Sequence, residues 1–338
     1  MKTMRLLPLA LIFGVFFTAC DNEFSPNAEW KETMVVYSLL DQDEDTTWVR
    51  VQKCFLGEGD MLAMTSIMDS SNYSEGDLRV QIEEWNAEEK TQGVLEKTTP
   101  TGKVFDFQYK MLDTKSEGGF YAPNQPVYFC PTKGQLSDNK VYVLKVRNLK
   151  SGMEASGETT LIGALEANSI KVNNSNLGTF TFSGGKASLQ WPNAKRARIY
   201  QPMVRFYYRN VGSDSTLSVD VLFSTKTASN ELTISTQLNA LYFGNELSKL
   251  ITDHETEKIM GDTITLFLFA GDENLKMYRS ISAPPNTLVQ ERGIFTNITG
   301  GLGIFASRRI NIKRDMPVPQ NSSDAAYRGL IRSLNIGF

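Results

Sequence analysis

The 338-residue sequence holds one histidine, His254, and three cysteines, and its 35 basic residues fall short of its 38 acidic ones. A lone histidine in the polar stretch around residue 254 leaves a Ser-His-Asp triad, a Cys-His pair or a two-histidine zinc site short of parts. His254 reads instead as a solvated loop residue. No G-x-S-x-G, H-E-x-x-H, G-x-G-x-x-G or P-loop pattern occurs, so the usual nucleophile, zinc and phosphate signatures are missing. A formal charge of -3 argues against nucleic acid or an anionic lipid surface as a partner. No apolar run reaches the roughly 20 residues that a spanning helix needs. Residue types alone single out no catalytic group, cofactor or metal.

What is present begins at the amino terminus. Lys2 and Arg5 precede an apolar block from Leu6 to Phe17, and the small residues Thr18 and Ala19 lead into Cys20. That order of charged, apolar and small segments predicts a signal peptide over 1–19. A cysteine at the cleavage point resembles the bacterial lipobox, in which the Cys20 thiol is acylated and heads the mature chain. Phe17 stands where leucine is usual. Each buried CH₂ of an acyl chain contributes about 0.8 kcal/mol, so two or more chains hold a protein on a membrane stably. Residues 20–27 read as a flexible polar tether.

The remainder is rich in short alternating runs, which predicts a mainly β protein. Residues 34–40 and 47–56 flank the acidic tip 41–46 as a hairpin. In 77–85, Leu78, Val80 and Ile82 alternate with Arg79, Gln81 and Glu83, the pattern of a half-buried strand. Periodicity is lost over 163–176, so a first β-sandwich domain is expected over 28–162 and a second β-rich domain with a few helices over 163–338. In the second, Tyr200, Val204, Phe206 and Tyr208 share a strand face, and 262–270 is apolar enough for a central strand. Leu238, Leu241, Tyr242 and Leu250 suggest a helix laid on the sheet. Ser322 or Ser323 would cap a closing helix carrying Tyr327, Leu330, Ile331 and Leu334.

Four clusters are candidates for chemistry. Asp41, Asp43 and Asp45 have the spacing of a calcium loop's first ligands, but Thr46 and Gln52 replace its glycine and glutamate, so a solvated hairpin tip is the simpler reading. Glu83, Glu84, Glu88 and Glu89 lie near Trp85, which could stack on a sugar, and a glycosidase needs only two carboxylates. Arg309, Asn311 and Lys313 line one face of a strand, as on a charged edge strand. Cys54 and Cys130 sit in apolar strand-like runs and read as buried free thiols, with a single disulfide as the alternative.

The stretch 291–309, with Phe295, Thr296, Asn297, Gly300, Gly301, Leu302, Gly303 and Phe305, resembles the closing signature of a family of Bacteroidota outer-membrane lipoproteins of unknown function. Residues 48–85, with a short helical insertion carrying Leu62, Met64 and Ile67, are similar to its amino-terminal part. The resemblance implies an immunoglobulin-like or transthyretin-like first sandwich and a setting beside TonB-dependent receptors. It implies no catalytic residues. The glycines themselves predict a tight turn packed against a neighbour. The expected protein is a non-enzymatic lipoprotein, held to the outer membrane by lipid on its periplasmic face or at the cell surface. It would help a TonB-dependent receptor or envelope complex capture a glycan or peptide. A fimbrillin-like structural subunit and a carboxylate-dependent glycan hydrolase are the alternatives.

Overall fold

The computed structural model describes residues 33–54, 67–90, 93–113, 124–165, 169–175, 179–228, 230–282, 293–318 and 325–337. The expected signal peptide and tether with Cys20, and Leu62, Met64, Ser322 and Ser323, lie outside the described residues. In chain order the first part contains β1 (Thr33–Leu40), β2 (Thr46–Cys54), α1 (Met68–Ser71), β3 (Leu78–Glu89), β4 (Leu95–Asp106), β5 (Gln108–Asp113), β6 (Asn124–Pro131), β7 (Lys140–Asn148) and β8 (Glu154–Thr160). Next come β9 (Lys171–Val172), β10 (Lys186–Pro192), β11 (Ile199–Asn210), β12 (Leu217–Leu222), β13 (Lys226–Thr227), β14 (Thr233–Asn239) and α2 (Ala240–Leu250). The chain ends with β15 (Lys258–Gly271), α3 (Glu273–Ser282), β16 (Ile298–Thr299), β17 (Gly301–Pro317), α4 (Ala325–Ser333) and β18 (Ile336–Gly337).

The protein is mainly β. Its first core is a sandwich with β17-β1-β2-β6-β5 in one layer and β16-β8-β7-β3-β4 in the other. Alternation builds it: Met34, Val36, Val49 and Val51 point inward from one layer, and Val80, Ile82, Leu144 and Val146 meet them from the other. The chain changes layers at Phe107, between β4 and β5, where the Phe107 N–H donates to the Val80 carbonyl at 3.0 Å. The second core lies between the β12-β11-β15-β17 end of the large sheet and the small sheet β14-β10-β9. Helices α2 and α4 add Phe243, Leu247 and Ile331 to it. Tyr200, Val204 and Phe206 fill it from β11, with Tyr208 packed at its margin, and β15 is central as its apolar sequence suggests.

One strand joins the two cores. The first half of β17 runs parallel to β1, from Met34↔Gly301 to Leu40↔Ser307, and its second half runs antiparallel to β15. Phe305 and Ile298 are buried in the first core although they follow Ile162, where the second core begins. The glycine turn is packed as its sequence suggests. Gly303 has φ +106°, and a Cβ there would collide with the Val36 carbonyl; at Gly300, φ +74°, it would strike the Glu154 carbonyl. Only glycine fits both the conformation and the approach. Asn297 closes the turn by doing the work of a backbone, since its side chain accepts from Phe305 N–H at 2.9 Å and donates to Phe305 C=O at 2.6 Å.

Two expectations are corrected. The helix begins only at Ala240, because Ile234 and Leu238 alternate into the core as part of β14, and Asn239 caps the helix by accepting from Tyr242 N–H at 3.0 Å. Its buried stripe is Ala240, Phe243, Gly244 and Leu247, while Leu241, Tyr242 and Leu250 face solvent. The stretch carrying Arg309, Asn311 and Lys313 has one strand partner, β15, because β1 pairs with β17 only as far as Ser307. Its polar face also covers the connecting segment: Arg309 donates to Ile162 C=O at 3.3 Å, Asn311 to Leu165 C=O, and Lys313 to Ile170 C=O at 2.9 Å. Cys54 is an exposed thiol, not a buried one. Both cysteines are free; Thr33 is opposite Cys54 and Thr47 is opposite Cys130. That register separates them by about 23 Å along the strands, far beyond disulfide reach.

No helix among the described residues is long and apolar enough to cross a membrane.

Candidate functional site

The acidic clusters do not assemble a catalytic pair or a cation cage. Asp43 forms a two-pronged pair with Arg309 at 2.8 and 3.1 Å, and Asp45 pairs with Lys133 at 2.6 Å. Asp41 is buried at the mouth of β1, where its carboxylate accepts from Asp43 N–H at 3.1 Å and lies 3.7 Å from Arg308 Nε. Burial pushes its pKa up to about 6, against the pull of the Asp43 N–H and Arg308. Among the described residues no three His, Cys, Asp or Glu side chains converge as metal ligands.

Successive residues of β3 face opposite sides of the sheet, which separates Glu83 from Glu84. Glu83 accepts from Lys145 at 2.6 Å and from Trp85 Nε1 at 3.2 Å. Glu84 is buried and accepts from the Tyr142 hydroxyl at 3.1 Å. Glu88 lies 3.7 Å from Lys90 and Glu89 2.5 Å from Lys195. Lys97 sits 5.8 Å over the Trp85 ring. His254 is exposed.

Sequence reasoning missed the pocket that the fold creates. On the outer face of the first layer, Tyr37 of β1 stands opposite Arg50 of β2, and Trp48 stands opposite Phe129 of β6. Helix α3 lies over the neighbouring β17 and brings Leu275 and Tyr278 alongside. Together they enclose a cavity of about 460 Å³, walled by Tyr37, Trp48, Arg50, Tyr278 and Arg308. Tyr278 meets Tyr37 edge-on at 6.4 Å, and Phe129 leans on Trp48 at 5.7 Å. The Trp48 ring remains 40% exposed. Lys110 from the edge strand β5 reaches over both Trp48 and Phe129, at 5.9 and 5.5 Å. One signal was available: in 47–51 the apolar Val49 and Val51 alternate with Trp48 and Arg50, so an aromatic and a cation occupy the face a hairpin usually gives to small polar residues.

The charges in this cavity are unevenly matched. Arg308 lies 3.7 Å from Asp41 and 3.5 Å from Glu44. Arg50 has a buried Nε without a hydrogen-bond partner and no ion pair among the described residues. Burial draws its pKa down, opposed by Tyr37. A second cleft of about 330 Å³, between the two cores, differs in that its charges are matched from within. There Arg196 pairs with Asp138 at 3.6 Å, Arg198 with Glu273 at 3.9 Å and Glu158 with Lys97 at 2.5 Å. At its back Asp272 caps α3, accepting from Leu275 N–H and the Thr159 hydroxyl at 2.8 Å and from Ser307 N–H at 2.9 Å. That carboxylate is a structural staple, pushed up to about 6 by burial despite those three donors.

No family model and no curated protein matches the chain. Among solved structures it is similar to two crystal forms of a cytokine receptor complex, at 9% and 8% identity. These span 71% of this chain in each case and 86% and 92% of theirs, with a TM-score of 0.20 for both, a superposition too slight to speak to its chemistry.

Proposed function

We propose that the chain is a non-enzymatic binding protein, anchored by lipid on Cys20 at the outer membrane, that holds an extracellular nutrient for a TonB-dependent receptor or envelope complex. The observation that carries this reading is the outer-face cavity, which combines an exposed aromatic wall with a guanidinium lacking a counterion. Concave, mostly apolar sites with a few placed polar groups are where small ligands bind. A carboxylate hydrolase finds less support, since Glu83, Glu84, Glu88 and Glu89 are each engaged elsewhere. Strand exchange of the fimbrillin kind would require removing β1, which is flanked on both sides by β2 and β17. The lipid supports the reading by confining the protein beside its partner, which raises the effective concentration.

The test is to tag the carboxyl terminus, solubilise outer membranes gently and identify what co-purifies in near-equal amount. A TonB-dependent receptor is expected, and Cys20→Ala should abolish both the acyl label and membrane retention. Recovery of the protein alone, or only with itself, would remove the main support for an accessory role.

A further inference from the structure

We propose that the outer-face cavity is built for an acidic sugar, with the ring against Trp48 and the carboxylate on Arg50. This rests on the binding reading above and names its ligand class.

The first reason is the unmatched charge. A partly buried guanidinium gains from a partner that offsets its desolvation, and the buried Nε of half-buried Arg50 finds none among the described residues. Its planar donors suit a carboxylate, which can accept two parallel N–H bonds. Lys110, held over the neighbouring rings, adds positive charge on the same side.

The second reason is the arrangement of the rest. Trp48 is two residues from Arg50 on the same strand face, roughly 7 Å away along the strand, which suits a carboxylate on the ring that stacks. The aromatic body supplies apolar area for the C–H face of a sugar. At the opposite end, Asp41 and Glu44 beside Arg308 provide acceptors for hydroxyl groups.

The third reason favours a sugar over an extended peptide. Peptides laid on a sheet draw affinity from an open strand edge. Here β1 is paired by β2 and β17, and β2 by β1 and, as far as Val49, by β6, so the ladder beneath Tyr37 and Trp48 is already taken.

The test uses calorimetric titration of the full protein with oligosaccharides in pairs, for example trigalacturonate and a hyaluronan tetrasaccharide, each beside its carboxyl-reduced counterpart. A peptide with a free terminal carboxylate is titrated in parallel. At least one uronate should bind about tenfold or more tighter than its reduced form. Arg50→Gln should erase that difference by weakening the charged member of the pair far more than the reduced one, and Arg50→Lys should restore part of it. Trp48→Ala should weaken both members of the pair. Unchanged unfolding midpoints in these variants would show that the site, not the fold, was altered. Equal binding of charged and reduced sugars, or a charge preference that survives Arg50→Gln, overturns the acidic-sugar proposal but leaves a binding protein. Binding of the peptide alone overturns it in favour of a peptide receptor. No binding of any probe overturns the acidic-sugar proposal, and if no receptor co-purifies either, the binding reading falls with it.

Discussion

The two halves of β17 are one continuous strand with different chemistry. From Gly303 to Ser307 every residue is buried, because β8 covers one face of this half and α3 lies over the other. From Arg308 to Lys313, charged or amide residues alternate with Ile310 and Ile312. The reason is what lies over each half. A sheet whose backbone bonds are satisfied accepts an apolar neighbour, whereas an irregular connecting segment carries unpaired carbonyls that must be met. Arg309, Asn311 and Lys313 meet those of Ile162, Leu165 and Ile170. Polarity on this half of β17 therefore marks the place where the chain passes between its two cores.

The largest effect that would break this comparison is a cut. A fragment covering 33–162 loses the first half of β17 together with Ile298 and Phe305, so it should lack cooperative unfolding and a near-ultraviolet circular dichroism signal. The fragment 163–338 retains nearly all of the second core and should keep both. A cooperatively folding 33–162 fragment would show that the shared strand is dispensable.

Next comes Gly303→Ala, which forces a side chain into the Val36 carbonyl at a positive φ. Backbone strain plus a displaced ladder should cost about 4 kcal/mol or more, read as a fall in the denaturant midpoint or a failure to accumulate folded protein. A loss under about 1 kcal/mol would mean that β1 yields easily.

A smaller effect sharpens the junction between the halves, where Asp272 holds Ser307. Its folded pKa, about 6, lies above its unfolded value. The folded state therefore keeps a proton that the unfolded state has already lost. The resulting stability is full below about pH 4 and is lost as pH rises through about 6, a change of about 3 kcal/mol. Asp41, also raised to about 6, acts with the same sign in the same window. In Asp272→Asn the decline between pH 4 and pH 6 should shrink to the Asp41 share, measured by denaturation at stepped pH. An unaltered slope would show that Asp272 does not titrate there.

The smallest effect has the opposite sign. Gly329 lies exposed within α4, with nothing near its Cβ position. Gly329→Ala should stabilise by about 1 kcal/mol, visible as a rise in Tm. A drop would mean the helix needs the glycine.

How much of this was legible in the sequence depended on the range of the interaction. The β1–β2 hairpin, β3 and β15 were readable because their alternation or continuous apolarity is local. The α2 boundary was not, since Thr233–Asn239 takes its strand form from pairing with β10. The charged alternation of residues 309–313 was readable, but the carbonyls of Ile162, Leu165 and Ile170 that it meets were not, because they lie 143 to 147 residues earlier in the chain. The cavity was hidden for a similar reason: Trp48 and Arg50 were visible as outward residues, but Tyr278 joins them only through the placement of α3.

The position of β1 also has a mechanical meaning. Tension entering from the amino-terminal side of Thr33 would run lengthwise along β1 while its hydrogen bonds to β2 and β17 lie across the pull. The registered pairs from Met34↔Gly301 to Leu40↔Ser307 would then be loaded together in shear, not peeled one at a time. A chain tugged by its amino-terminal end is thus held by a clamp whose far jaw comes from the last part of the sequence.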